Sequence, residues 1–137
     1  MALFVDTWAW YAAVDSGDSA NARAKILLAT GERLHTTDHV LIETWSLLDV
    51  RFGSRVAEEF LLRLRTAKVE IELIEPEDLE AAWTIGQKFS DQDFSIVDRT
   101  SFAVMERLRF TRVVFFDAHF ATFRYGLRRD KAFEVLR

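Results

Sequence analysis

Short apolar runs recur along this chain, and stretches with helical periodicity separate them. The runs predict strands over residues 2–6, 34–37, 69–74, 113–116 and 132–136. The spacing of apolar positions between them predicts helices over about residues 8–14, 19–28, 39–49, 54–66, 76–89, 96–108 and 118–123. Strands that alternate with helices favour right-handed crossovers and a mostly parallel sheet covered on both faces. We therefore predict a three-layer α/β/α domain.

Within this pattern, the run at 69–74 carries glutamates on one face and is typical of a strand near the sheet edge, whereas 113–116 is wholly apolar, as in a central strand. Gly86 interrupts the helix at 76–89 at a cost of about 1 kcal/mol relative to alanine, which indicates close backbone packing there. The tryptophans have helical spacing that favours core packing over base stacking. They are Trp8, Trp10, Trp45 and Trp83.

Composition narrows the class of protein. The 137 residues, half of them hydrophobic, fit one domain spanning 1–137. The absence of cysteine excludes disulfide scaffolds, thiolate metal sites and cysteine nucleophiles. No stretch reaches the roughly 18 apolar residues of a membrane span, and the first residues do not have the pattern of a signal peptide. We expect a cytoplasmic protein without a membrane partner.

Two of the most apolar runs end in aspartate, at Asp6 and Asp117. In open α/β sheets the carboxyl ends of the strands border the binding crevice. Glu43 and Asp98 fall early on predicted helices that open toward the same edge. Each acid also has a simpler explanation, since Asp6 and Asp117 fit N-caps, Asp98 fits a capping box and Glu43 fits a solvated helix face. Four acids at one edge nevertheless favour a bound divalent cation.

Carboxylate oxygens favour Mg²⁺ or Mn²⁺ over zinc. Asp93, in the loop before the helix at 96–108, is more typical of a solvated acid but is close enough in sequence to reach the site. A zinc site built on His35 and His39 is a weaker alternative, because one histidine falls on a strand and the other at a helix start.

Charge is distributed unevenly along the chain. Residues 1–98 carry 9 Lys and Arg against 18 Asp and Glu, whereas residues 99–137 carry 9 against 4. A basic surface beside an acidic site suits a phosphate-rich polymer, although any one of these residues fits an ordinary solvated position equally well. The candidates for weak RNA contacts are Arg107, Arg109, Arg112, Arg124 and Arg128.

The order of these residues is similar to that of a known family. It comprises Asp6-Thr7 after the first strand, Thr36-Thr37 before the helix with Glu43, DFSIVDRTSFAVM at 93–105, and FFDAHF at 115–120. Together they resemble the PIN-domain ribonucleases, specifically the VapC-type toxins of toxin-antitoxin pairs. The resemblance implies a PIN-like fold and metal-dependent hydrolysis of RNA.

By that resemblance, Asp6, Glu43, Asp98 and Asp117 match the family's acidic quartet, with Asp6 and Asp98 as direct metal ligands. The other two acids, and Asp93, would bind metal directly or through water. Thr7 matches a small polar position behind the ligands, and Thr37 is assigned a similar role. The cofactor would be Mg²⁺, with Mn²⁺ as a substitute. The partners would be RNA, a small cognate antitoxin and a second copy of the chain in a homodimer.

Two other classes remain open at this stage. A phosphatase of the haloacid-dehalogenase type also places an aspartate after the first strand but wants a second two residues later, where this chain has Trp8. A non-catalytic, receiver-like Mg²⁺-binding module would want a lysine after a late strand, where this chain has Asp117, Ala118 and His119.

Overall fold

Five parallel strands form the centre of the molecule in the order β3-β2-β1-β4-β5. The structure is a computed structural model that describes residues 2–116, 122–126 and 128–137. The strands are β1 Ala2–Val5, β2 Arg33–Thr37, β3 Glu70–Glu72, β4 Arg112–Val114 and β5 Glu134–Leu136. The predicted α/β class is confirmed, with the run at 69–74 forming the edge strand β3.

Six helices of the described chain connect the strands. They are α1 Thr7–Val14, α2 Asn21–Leu28, α3 Asp38–Phe52, α4 Ser54–Thr66, α5 Pro76–Lys88 and α6 Ile96–Arg107. Gly53, at φ 92°, separates α3 from α4 in a conformation that favours glycine. Pro76 opens α5 at the first helical position, as its fixed φ allows. The helix predicted over 118–123 falls mostly outside the described residues.

The strand order reverses beside β1, and this reversal creates the crevice. The chain first moves from β1 outward to β2 and β3, then returns to the other side of β1 with β4. Right-handed crossovers then place α1–α4 on one face of the sheet and α5–α6 on the other. Neighbouring side chains of β2 contact the two opposite faces. Thr36 accepts a hydrogen bond from Trp10 of α1 (Nε1 to Oγ1, 3.3 Å), whereas the ring of His35 packs on Phe110, which follows α6.

Aromatic side chains fill the core on the α6 face. Phe102 and Phe123 stack at a centroid distance of 4.2 Å, and Phe94 meets Phe102 edge to face at 5.1 Å. Such ring pairs add roughly 0.5–1.5 kcal/mol each beyond the area that they bury. This packing fixes α6 against the sheet and so fixes where its first turn lies. No helix in the described part of the chain is long and apolar enough to cross a membrane.

Candidate metal centre

Asp6 lies where β1 ends and α1 begins. Its amide donates to the carbonyl of Val114 at 3.3 Å, which ties the carboxyl end of β1 to β4. Its carbonyl accepts from the amides of Ala9 and Trp10, which starts α1. Asp6 thus occupies the N-cap position, but its side chain makes no capping hydrogen bond. The residue is 1% exposed, and Oδ1 has no hydrogen-bond partner.

Asp98 lies in the first turn of α6 and closes a capping box with Ser95. The Asp98 amide donates to Ser95 Oγ at 3.0 Å, and the Ser95 amide donates to Asp98 Oδ2 at 3.0 Å. The prediction that Asp98 belongs to a capping box is therefore confirmed. It does not exclude a role in the site, because the capped carboxylate is also close enough to Asp6 to raise the pKa of Asp6.

Glu43 projects from α3, which packs against both α1 and α6. The helix begins one residue earlier than predicted, because the N-cap is Thr37 rather than Asp38: Thr37 Oγ1 accepts from the amide of Val40 at 3.0 Å. Glu43 is partly buried and lies near Thr7, which lowers the pKa of Glu43. Strand β1 and helices α3 and α6 therefore bring three acids together from distant parts of the sequence.

The electrostatics of these acids are unfavourable without a cation. Burial is the largest cause that raises the pKa of Asp6 well above its ordinary value, followed by the charges of Asp98 and Glu43. The backbone amides of Trp8 and Thr7 offset part of this effect. Burial is also the largest cause that raises the pKa of Glu43; the Thr7 hydroxyl opposes part of this effect, and the charge of Asp98 adds a smaller increase. Like charges held together in this way are the arrangement that a divalent cation relieves.

The donors also fit a hard metal ion. Carboxylate oxygens are the ligands that Mg²⁺ and Mn²⁺ prefer, and a buried Oδ1 without a partner supplies an acceptor that metal binding would satisfy. Among the described residues, no Lys, Arg or His forms an ion pair with Asp6, unlike the buried Asp78, which binds Arg107. This contrast favours a metal-binding acid over a structural ion pair.

The remaining predicted site residues are not part of the group formed by Asp6, Glu43 and Asp98, or lie outside the described residues. Thr37 is fully buried and caps α3, so its hydroxyl serves the helix that carries Glu43. Asp93 is exposed in the loop between α5 and α6. Asp117 lies outside the described residues, directly after Phe116 and the end of β4. His39 contacts Thr100 of α6 (Nδ1 to Oγ1, 3.4 Å), whereas His35 faces β3, so the two histidines have different partners.

Three of the predicted RNA-binding arginines lie at the other end of the sheet. Helix α6 begins beside Asp6 and rises about 1.5 Å per residue, so its last turn is over 10 Å from Asp98. There Arg107 donates two 2.9 Å hydrogen bonds to Asp78, and Arg112 pairs with Glu32. Arg109 is exposed nearby. The side chains of Arg107 and Arg112 thus already have carboxylate partners, and an RNA-binding role for the five arginines stays a prediction.

A second group of metal-ligating side chains lies on β2 and β3. Ligand atoms of His35, Glu70 and Glu72 all lie within 4.8 Å of one another. Here, however, the ligand atoms already have partners, because Arg33 donates to Glu70 at 2.7 Å and His35 Nδ1 lies 2.9 Å from Glu72. Paired groups of this kind form an ordinary cross-strand network. It is separate from the acids around Asp6.

Sequence reasoning missed a pocket that adjoins the start of α6. It has a volume of about 390 Å³ and is lined by residues of α5, α6 and the loop between them, among them Trp83, Gln87, Gln92 and Arg99. Trp83, expected in the core, is 65% exposed. Gly86 was the available signal, since its missing Cβ makes room for Arg99.

This chain is similar in sequence and fold to known proteins. The PIN domain family matches residues 3–124. The chain is 37% identical over 121 residues to the 23S rRNA-specific endonuclease VapC20 of Mycobacterium tuberculosis, covering 87% of this chain and 92% of that protein. The crystal structure of that VapC20, described as a sarcin-ricin loop cleaving toxin, superposes with a TM-score of 0.80 at 34% identity, covering 85% of this chain and 90% of that one.

A toxin-antitoxin complex from Klebsiella pneumoniae matches with a TM-score of 0.62 at 17% identity, over 100% of this chain and 97% of that one, which supports the fold alone. The chain belongs to the PIN-domain family, among the VapC-type ribonucleases. It is an endoribonuclease of the class that uses a divalent metal. This assignment replaces the phosphatase and receiver-like alternatives.

Proposed function

We propose that this chain, as one PIN domain over residues 1–137, is a toxin that cleaves ribosomal RNA with Mg²⁺ as its cofactor, Mn²⁺ substituting. The observation that carries the proposal is Asp6, a buried carboxylate with an unpartnered oxygen facing the negative charges of Glu43 and Asp98. The 23S rRNA specificity of the 37% identical VapC20 supports ribosomal RNA as the substrate class.

In this proposal Asp6 and Asp98 hold the metal directly, while Glu43 and Asp117 bind it through water or orient the attacking water. Bound Mg²⁺ supplies the acidity that activates water and the positive charge that polarises a phosphoryl oxygen. The capping box holds Asp98 in one orientation, because its backbone partner fixes one carboxylate oxygen. Thr7 would support Glu43, because its hydroxyl is close enough to lower the pKa of that carboxyl.

The partners follow from the family and remain part of the proposal. Toxin-antitoxin complexes share this fold, which supports a small cognate antitoxin that keeps the acids from RNA. We also propose a homodimer and a cytoplasmic location, where ribosomal RNA is available. The basic residues of the last third would contact the RNA backbone, which gives affinity without sequence choice.

The test is cleavage of ribosomal RNA and of a sarcin-ricin stem-loop by the purified wild-type chain in Mg²⁺, in Mn²⁺ and in EDTA. We expect discrete cleavage with either metal and none in EDTA. The Asp6→Asn variant should be inactive while its thermal unfolding stays cooperative. Cleavage by the wild type in EDTA, or by Asp6→Asn at the wild-type rate, would contradict the metal centre.

A further inference from the structure

The pocket between α5 and α6 contains a guanidinium that has no acidic partner among the described residues. Arg99 donates from Nη1 to the carbonyl of Ala82 at 3.2 Å, which anchors the group on the backbone of α5. Its Nε is buried without a hydrogen-bond partner, and no ion pair joins Arg99 to a carboxylate of the described residues. Arg107 and Arg112, by contrast, are both neutralised. The positive charge of Arg99 is therefore not paired with a carboxylate of the described residues and is available to a ligand.

Gly86 creates the space that this guanidinium occupies. A Cβ at position 86 would lie 2.0 Å from Arg99 Nη1 and 3.0 Å from Cζ, closer than atoms can approach. The glycine disfavours its own helix by about 1 kcal/mol relative to alanine. Retaining it inside α5 allows the arginine to lie flat against the helix, beside the pocket.

The remaining lining has the chemistry of a nucleobase site. Trp83 offers a largely exposed aromatic surface, and the amides of Gln87 and Gln92 are able to donate and accept hydrogen bonds at a base edge. Stacking on aromatic rings beside a cationic group is how proteins hold unpaired bases, because bases in a duplex are already stacked and paired.

The pocket also adjoins the acids. Arg99 directly follows Asp98, and Gln92 and Phe94 belong to the loop that leads to the capping box at Ser95. The pocket volume of about 390 Å³ is within the range of small-molecule sites. Trp83, which lines the pocket, is exposed to solvent. An RNA strand with its scissile phosphate at Asp98 would pass close to Arg99, which lines this pocket.

We propose that this pocket binds an unpaired nucleotide of the RNA substrate next to the cleavage point, through Arg99 and Trp83. The proposal rests on the proposed function and deepens it, since it names residues outside the group of acids that would contact the substrate. Arg99 and Trp83 are then residues that determine specificity, and Gly86 positions Arg99.

The test measures binding separately from cleavage. In an Asp6→Asn background, fluorescence anisotropy gives the Kd for a labelled RNA stem-loop and for a fully paired duplex with the same stem. We expect Arg99→Gln and Trp83→Ala each to weaken stem-loop binding by about tenfold, with a much smaller effect on the duplex. Trp83→Phe should retain most of the affinity, and Gly86→Ala should weaken it because it displaces the guanidinium.

Arg55→Gln is the matched control, since Arg55 is a highly exposed arginine on α4 that pairs with Glu59. It removes the same charge outside the pocket. Equal losses in Arg99→Gln and Arg55→Gln, or unchanged binding in Trp83→Ala, would overturn the pocket. A parent Asp6→Asn protein that does not bind the stem-loop would also overturn the pocket. The same holds for pocket variants that lose binding to an antitoxin peptide but retain binding to RNA. Cooperative thermal unfolding verifies that every variant is folded.

Cleavage by the same variants with Asp6 intact separates the two proposals. If the wild type binds the stem-loop through the pocket but cleaves no RNA, the catalytic proposal fails and the pocket stands. If the wild type cleaves and the pocket variants match it in kcat/KM, the pocket is wrong and the ribonuclease assignment stands. Our expectation is active variants whose loss is mainly in KM.

Discussion

Asp78 and Asp98 occupy the same position in two consecutive helices, and comparing them separates structure from chemistry. Each lies at the third helical position, and each accepts a hydrogen bond from the N-cap amide, of Glu75 and Ser95 respectively. Both are buried. They differ in what the fold sets opposite them: Asp78 meets Arg107 in a two-point ion pair, whereas Asp98 meets the carboxylate of Asp6. We therefore assign to the functional site the aspartate whose neighbour carries the same charge, Asp98.

The largest expected effect tests Asp98. Asparagine at this position can still accept from the Ser95 amide, so Asp98→Asn should keep the helix cap and lose a metal ligand. Loss of residues that merely support metal ligands costs about 10–100-fold in activity, so losing a ligand should cost at least about 100-fold. Initial rates of stem-loop cleavage at saturating Mg²⁺ measure it. Near wild-type rates would remove Asp98 from the site.

Asp78→Asn should show the opposite behaviour. It removes the negative charge closest to Arg107 and leaves that arginine only the more distant, exposed carboxylates of Glu75 and Glu77. We expect a loss of about 2 kcal/mol in the free energy of unfolding. The folded fraction should cleave RNA at the wild-type rate. Urea unfolding and cleavage assays on the same preparation test both parts. If Asp78→Asn inactivates without destabilising, the comparison between the two aspartates fails.

The next effect concerns pH and Asp6. In the folded chain without metal, Asp6 and Glu43 have raised pKa values, so the folded state binds more protons than the unfolded state above pH about 4. Their contribution to stability therefore falls as the pH rises through the raised values. We expect the Tm of Asp6→Asn minus that of the wild type to grow from pH 4 to pH 8 in EDTA.

Mg²⁺ should reduce that difference, because a bound cation stabilises the charged acids of the wild type and has fewer ligands in the variant. Differential scanning fluorimetry across pH, with and without metal, measures both. An Asp6→Asn variant less stable than the wild type at pH 7 in EDTA would contradict the unfavourable electrostatics of the acids.

The smallest effects compare two threonines of the site. Thr37→Val removes the side-chain cap of α3 and should cost about 1 kcal/mol of stability. Thr7→Val removes the hydroxyl beside Glu43 and should lower cleavage by up to about tenfold with less loss of stability. Thermal melts and kcat measurements separate the two. If Thr7→Val lowers only stability, Thr7 has no role in supporting Glu43.

The elements were predictable because their signals are local. Apolar runs, Pro76 and Gly53 mark strands and helix ends within a few residues. The start of α3 shifted by one residue because Thr37, still extended at φ −112° and ψ 163°, supplies the capping oxygen itself. The order of the acids allowed Asp6, Glu43 and Asp98 to be grouped.

Pairings between helices were not predictable in the same way. Nothing in the sequence next to Arg107 indicates that it binds Asp78, and nothing next to Asp98 distinguishes it from Asp78. Gly86 indicated close packing but not what packs there, since Arg99 reaches it only across the contact between α5 and α6. Such facts depend on tertiary contacts.

The hydrogen bond from the Asp6 amide to the carbonyl of Val114 affects when the enzyme can fold during its translation. A nascent chain that has emerged only as far as α5 contains Asp6 and Glu43 but neither Asp98 nor the strand β4 that secures the end of β1. Because parallel strands pair only after the intervening crossover has been made, we expect the proposed metal centre to assemble late in synthesis. On that expectation, a nascent chain that ends before Asp98 lacks one of the two proposed metal ligands, and the cell is exposed to nuclease activity only after α6 and β4 have been translated.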